Sequence, residues 1–533
     1  MKLLTPINES VARLEKYNSG EKLLSWFGIS WISLLVVAVT LLSAGVISVS
    51  PIVLSSNPTL IGSDALLKWS NYSPLMGLPI VILSGMCMDR FGRLNVLIPA
   101  LVMGIISEAV LRSFVSTNYI GFMLNRDIIV QVIIGACMLI VYETVPLKNR
   151  LFAVFVLSLC SELGSAAASG IMLAVERKLL SQNTDISDPN LVIDDLDDIE
   201  TYWLNSQMKI FKYLQILSVV LLGLALVGIV LMAKYRACNL SLWILFKSSL
   251  QRGEIYDTAV HERAEQDGQD PFLSGPVPMS REEFLINMEK ETIHESVSGL
   301  LKRIRGPFAL VILMAIAFGM SKPDSEFMQH IAAEALLGSN GTVEQLGLIG
   351  VAIMISSVGL SLVAWRLNKD VRYLPFVGLL LCSIAGFMFV SRSSTDIFMQ
   401  RIKMESMGFG ETKLSRSDAF MFGANYVFGS IGSPIVVCSV RLLIMDLMPT
   451  KIRGLGIMLV AGLMSASYGI AQTLLTLSFA AEVVVTIMIC AAGVLGMAAM
   501  YTTNWFDNSL LCRDPEQDAQ WLVQESTSLI LPA

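Results

Sequence analysis

The stretch "GMCMDRFGRLNVL", residues 85–97, places three charges, Asp89, Arg90 and Arg93, and two glycines, Gly85 and Gly92, between two long apolar runs. Elsewhere the chain avoids charge. Its 533 residues are 54% hydrophobic and 15% charged, against about 25% charged in an ordinary soluble domain. That composition places most of the chain in a bilayer, and the charged stretch is then a turn where the chain leaves the membrane and re-enters it.

A bilayer core needs roughly 20 apolar residues per helix. Runs of that kind predict twelve spans, at about 29–51, 74–88, 95–115, 120–141, 150–174, 211–233, 307–330, 345–365, 373–391, 417–446, 455–479 and 482–502. The longest polar interval, 234–306, carries ten basic residues and divides the helices six and six. The expected organisation is an N-terminal arm over 1–28, a six-helix bundle over 29–233, a linker with amphipathic helices over 234–306, a second bundle over 307–502 and a tail over 503–533. The fold class is an all-α polytopic membrane protein.

Lysine and arginine collect on the cytoplasmic side of membrane proteins. Placing both termini inside assigns most of the 38 basic residues to cytoplasmic segments, and the opposite orientation reverses the bias. The charged opening "MKLLTPINESVARLEKYNSGEKLL" has no cleavage pattern and reads as a cytoplasmic arm. All eight cysteines fall in predicted helices or cytoplasmic segments, so no extracellular disulfide framework is implied. His261, His294 and His330 are scattered, without metal-ligand spacing. The acidic run "DISDPNLVIDDLDDIE" reads as a solvated outer loop, and Asn71 and Asn340 lie in outer-side glycosylation sequons. No nucleotide-binding loop, nucleophile–base pair or cofactor motif appears, which argues against an enzyme and against a nucleic-acid partner.

A local pattern recurs in the two halves. After the fourth predicted helix stands "YETVPLKNRL" and after the tenth "MDLMPTKIRGLG". Both read carboxylate, two residues, Pro, three residues, Arg: Glu143, Pro146 and Arg150 in one, Asp446, Pro449 and Arg453 in the other. Helix punctuation with snorkelling arginines explains one copy. Two copies at matching helix numbers indicate a duplicated six-helix unit.

With that repeat in place, the opening stretch resembles a known motif. Gly85, Asp89, Arg90, Gly92 and Arg93 match the turn between helices two and three that marks the major facilitator superfamily, and the resemblance extends over essentially the whole chain. It implies that this turn and the helix-end carboxylates form a cytoplasmic charge network latching the two halves together. Gly85 would let helix two approach a neighbour, Gly92 would make the turn, and Asp89 would face the N-terminus of helix eleven. The paired motifs look most like the sugar-porter and organic-ion-transporter branches, and the resemblance implies a plasma-membrane solute carrier. Ser241, Trp243 and Leu245 of "NLSLWILFKSSLQRGE" weakly match a linker helix of those branches. The pattern also departs from the family. The second-half counterpart, "WRLNKDVRYL" from Trp365, lacks the Asp-Arg order and both glycines, the first outer loop has no cysteine, and the sugar-porter signature of helix seven is missing.

Charges within helices need a reason, because each costs about 2.5–3.5 kcal/mol on insertion scales. In "VLSLCSELGSAAASGIML" of the fifth predicted helix, Ser158, Glu162, Ser165 and Ser169 recur at i, i+4, i+7 and i+11 and form one polar stripe. Two readings of Glu162 stand: a desolvated carboxylate that couples proton or cation movement to transport, or a structural partner of Arg126 or Arg112 on a helix packed through small residues. In the seventh, "FGMSKPDSEFMQHIAAEALL" breaks at Pro323 beside Lys322, Asp324 and Glu326. That break is either a recognition site in a discontinuous helix or the end of the span. Arg441 in the tenth either snorkels or joins the Asp89 network.

The sequence thus predicts a secondary transporter of a small organic solute, a sugar or an organic ion, with protons as a candidate coupling ion and the lipid bilayer as its surroundings. The rival expectation is a transporter-like receptor or sensor that no longer transports, motivated by the eroded second-half turn.

Overall fold

The computed structural model describes residues 29–55, 73–110, 119–144, 147–182, 196–234, 305–321, 349–359, 374–392, 416–448 and 452–477, together with Leu336 and Val363. Every secondary-structure element in these segments is an α-helix: α1 (Ile29–Ser55), α2 (Ser73–Phe91), α3 (Arg93–Ala109), α4 (Tyr119–Thr144), α5 (Leu147–Gln182), α6 (Leu196–Lys234), α7 (Arg305–Ser321), α8 (Ile349–Gly359), α9 (Leu374–Arg392), α10 (Arg416–Leu447) and α11 (Arg453–Leu477). They fall at the first eleven predicted spans. The twelfth predicted span, the N-terminal arm, most of the linker and the tail lie outside the described residues.

The bounds differ where polar residues extend or shorten a helix. α5 runs to Gln182, and α6 begins at Leu196, so the end of the acidic run expected to be loop is helical. α3 stops at Ala109, short of the predicted 115, where the N–H of Val110 closes onto the Ile106 carbonyl. Apolar stretches long enough to cross a bilayer lie in α2, α4, α6, α10 and α11.

Each helix sorts its residues by what surrounds it. On α2, Gly77, Val81, Gly85, Met88 and Asp89 are buried, while Leu75, Met76, Ile80, Leu83 and Met86 are exposed. On α6, Tyr213, Ile216, Val220, Leu224, Val227 and Leu231 form an exposed apolar stripe. In water so large an apolar surface would be an association hazard; in a bilayer it meets lipid tails, which leaves tight packing to hold the helices together.

Glycines set that packing. A Cβ on Gly45 of α1 would collide with the Ser161 carbonyl of α5, and one on Gly164 of α5 with the Leu42 carbonyl of α1. Gly378 of α9 and Gly432 of α10 form a similar reciprocal pair, each within about 3 Å of the other's carbonyl oxygen when a Cβ is built on it. Across the two halves, α2 and α4 pack on α11, and α5 meets α10; within the second half, α7 packs on α11. Met458 of α11 fills the notch left by Gly85 and Gly135, since a Cβ on Gly85 would lie 2.9 Å from Met458 Cβ and one on Gly135 would strike its Sδ.

Candidate functional site: a polar seam between the two halves

The charged turn lies at one end of the α2–α11 contact. Gly92, at φ 100° and ψ 154°, breaks the chain between α2 and α3 in a backbone region that side-chain-bearing residues rarely adopt. The break aims Asp89, one turn before it, across the seam. Asp89 Oδ1 accepts the N–H of Gly454 at 2.8 Å and Oδ2 accepts the N–H of Leu455 at 2.8 Å. These are first-turn donors of α11, which have no carbonyl partner within their own helix, and the carboxylate also meets the positive end of that helix dipole. Arg93 stands 3.3 Å from Asp89 and donates from Nη1 to the Met88 carbonyl at 2.9 Å. Both side chains are buried. Gly454 must be glycine for this clasp, because a Cβ there would sit 2.6 Å from Asp89 Oδ1 and 2.8 Å from the Gly85 carbonyl. Arg90 stacks over the exposed Phe91 ring at 5.8 Å.

Arg453, the last residue of the second repeat motif, folds back over the end of α10. Its Nε donates to the Met445 carbonyl at 2.8 Å and the Met448 carbonyl at 3.2 Å, two C-terminal acceptors left over by the helix. Its guanidinium lies 5.0 Å from the ring centre of Tyr142 on α4, in the first half of the chain. One cation thus caps a helix in its own half and touches the other half. Pro146 and Pro449 lie outside the described residues, as do the side chains of Glu143, Arg150 and Asp446.

Deeper along the same seam, α5 faces α10. Ser158 donates to the Val154 carbonyl at 2.7 Å and to the Met138 sulfur of α4 at 3.8 Å. Glu162, one turn along α5, interacts electrostatically with Arg441 and Cys438. Arg441 lies six residues before the end of α10, about 9 Å along the axis at 1.5 Å per residue. Helical side chains lean toward the N-terminus, so its guanidinium reaches deeper than its Cα. Ser158, eleven residues into α5, and Cys438, nine from the end of α10, lie about 16 Å and 14 Å from those helix ends. On α10, Arg441 lies four residues before the end of the apolar stretch Phe420–Met445.

The predicted polar stripe on α5 meets two neighbours. Ser158 and Glu162 face α10, whereas Ser165 turns to α1, where its hydroxyl donates to the Gly45 carbonyl at 3.1 Å and lies 3.1 Å from Ser48 Oγ. The Ser169 side chain lies outside the described residues. Arg126 is buried on α4 beside Asp127, whose carboxylate accepts a hydrogen bond from Ser73 at the start of α2. This pairing ties α2 to α4 at the end away from the Asp89 clasp. Lys322, Asp324 and Glu326 lie outside the described residues. Sequence reasoning missed Cys438, Tyr142 and the requirement at Gly454. The only signal for Gly454 was its place next to Arg453 in a motif already singled out.

Among the described residues, eleven helices at the first eleven expected positions, with the charged turn after α2 clasped to α11 in the second half, define a multi-pass membrane protein of the major facilitator fold. Among solved structures, the chain is similar to the major facilitator superfamily proton:xylose symporter XylE bound to 6-bromo-6-deoxy-D-glucose, with a TM-score of 0.59 and 17% identity over 95% of this chain and 100% of that one. It is also similar to a peptide transporter, POT, in complex with sulfate, with a TM-score of 0.52 and 14% identity over 92% of this chain and 98% of that one. A partially occluded inward-open form of the xylose transporter XylE from E. coli matches with a TM-score of 0.50 and 16% identity over 89% and 99%. No protein-family model matches the chain, and no curated protein sequence matches it.

Proposed function

We propose that the chain is a secondary transporter that moves a small organic solute, a sugar or an organic ion, across a membrane by alternating access. The bundles over 29–233 and 307–502 rock against each other about the seam, joined by the cytoplasmic linker over 234–306. The Asp89 clasp carries this reading. A static assembly would join its halves through apolar packing; here a buried carboxylate is held by two helix-end N–H groups of the opposite half, a contact that water can replace on both sides when the seam opens. In this reading Gly85, Asp89, Arg90, Gly92, Arg93 and the two repeat motifs form a cytoplasmic latch, and Ser158 and Glu162 line the solute path. Both termini then lie in the cytoplasm, with the plasma membrane as the setting. The likeness to a proton:xylose symporter makes a proton the first coupling ion to test.

The test is uptake of pooled labelled sugars, organic cations and organic anions into proteoliposomes, with and without an inward proton gradient, for the wild type and Glu162→Gln. Gradient-driven accumulation lost in the variant supports a proton-coupled carrier. No uptake by folded, correctly inserted protein refutes transport and favours a receptor or sensor.

A further inference from the structure

Gln131 shares a face of α4 with Gly135 and Tyr142, four and eleven residues on. Those two residues both meet α11 of the opposite half: a Cβ on Gly135 would strike the Met458 sulfur, and the Arg453 guanidinium lies over the Tyr142 ring. The contacts run in opposite order along the two helices, so one turn outward of the Gly135–Met458 contact stand Gln131 on α4 and Gly462 on α11. At that height α11 is pressed against α2, since a Cβ on Gly462 would lie 2.6 Å from Leu78 Cδ1 and 3.4 Å from Val81 Cγ1. The seam is therefore shut where Gln131 sits. Among the described residues, α2, α3 and α6 present exposed large apolar side chains and α4 presents none, which makes α4 an interior helix.

Within this shut seam the Oε1 atom of Gln131 is shielded from solvent and has no hydrogen-bond partner. The side chains that the register brings nearby offer it no donor: Ile128 and Val81 are hydrocarbon, and the Met458 thioether is at most a weak acceptor. N–H groups inside helices are already bound to carbonyls of their own helix. An apolar residue at this position would continue a face otherwise built of Leu124, Ile128, Gly135 and Tyr142 without leaving an acceptor unmade.

Resting on the transporter reading, we propose that Gln131 is a built-in opener of the seam, its amide stranded while α11 lies against α4 and hydrated once α11 leaves. It then opposes the Asp89 clasp. Closing the seam makes two bonds from α11 to Asp89 and forfeits one at Gln131, and a buried acceptor left unmade penalises the closed form by an amount comparable to one charged hydrogen bond. A carrier needs that balance, because two forms interconvert usefully only when neither is favoured overwhelmingly. The clasp supplies the closing force and the glutamine limits it.

The test is double electron–electron resonance on the full-length protein in lipid nanodiscs, with spin labels at Phe91 and Val377, both exposed. Gln131→Met, which keeps the side chain's length and removes the amide, is compared with the parent in the wild-type and Asp89→Asn backgrounds, the second chosen because it raises the open population into the measurable range. The methionine should lower the open-to-closed ratio by about 5- to 100-fold in the Asp89→Asn background. Gln131→Leu should act in the same direction and serves where the methionine variant does not fold, which thermal melting reports. The melting temperature should hold or rise. A ratio changed by less than threefold, a ratio that rises, or a lowered melting temperature with the ratio unchanged overturns the proposal, because the amide would then be satisfied in the closed form. If Asp89→Asn opens the seam and neither Gln131 variant closes it, this proposal falls alone. If the label distance is the same single population in every variant, the halves do not part and the transporter reading falls with it.

Discussion

Asp89→Asn tests the clasp at its chemical centre, because it keeps the shape and removes the charge. In the structure Oδ1 and Oδ2 each accept one backbone N–H from α11 at 2.8 Å. An asparagine keeps one acceptor oxygen and turns an NH2 toward the other N–H, donor against donor. Hydrogen bonds to charged groups contribute roughly 1.5–3 kcal/mol each, and a neutral one about 1 kcal/mol. The seam therefore loses about 2–4 kcal/mol, and water recovers both N–H groups once it opens. At 1.4 kcal/mol per decade, the ratio of open to closed seam should rise by about 30- to 1,000-fold. Spin labels at Phe91 and Val377, exposed residues near the Asp89 end of α2 and α9, report the opening by double electron–electron resonance. A distance distribution that shifts its open-to-closed ratio by less than threefold would refute the argument, because the two N–H bonds would then not hold the halves together.

Gly454→Ala places a methyl 2.6 Å from Asp89 Oδ1 and should open the seam as Asp89→Asn does, read by the same label pair. Gly45→Ala drives a Cβ into the Ser161 carbonyl, and since backbone cannot yield as a side chain does, the loss should be at least the 1–3 kcal/mol typical of overpacking, seen as a lower melting temperature in detergent. Tyr142→Leu keeps apolar volume but removes the ring 5.0 Å from Arg453; a cation–π contact of about 0.5–2 kcal/mol should be lost, measured as a two- to thirtyfold shift toward the open seam with the melting temperature little changed.

Much of the cross-half geometry was legible because it is built from residues that need a reason to be in a membrane. Asp89 and Gly92 announce themselves by type and spacing, and the structure takes Asp89 to the N-terminus of the eleventh helix. Glu162 and Ser158 were visible in the same way, as polar residues on an apolar helix. What faces them was not. Arg441 could be found as a charge, but its partner depends on how α5 crosses α10, and a linear sequence carries no crossing angle. The α5 stripe shows the same limit: periodicity places Ser158, Glu162 and Ser165 on one face, yet a helix that passes one neighbour at one height and another a turn later gives α10 the first two and α1 the third. Helix ends were misread for a different reason. α6 extends into acidic residues that hydropathy assigns to a loop, because backbone hydrogen bonding keeps a helix going past the bilayer.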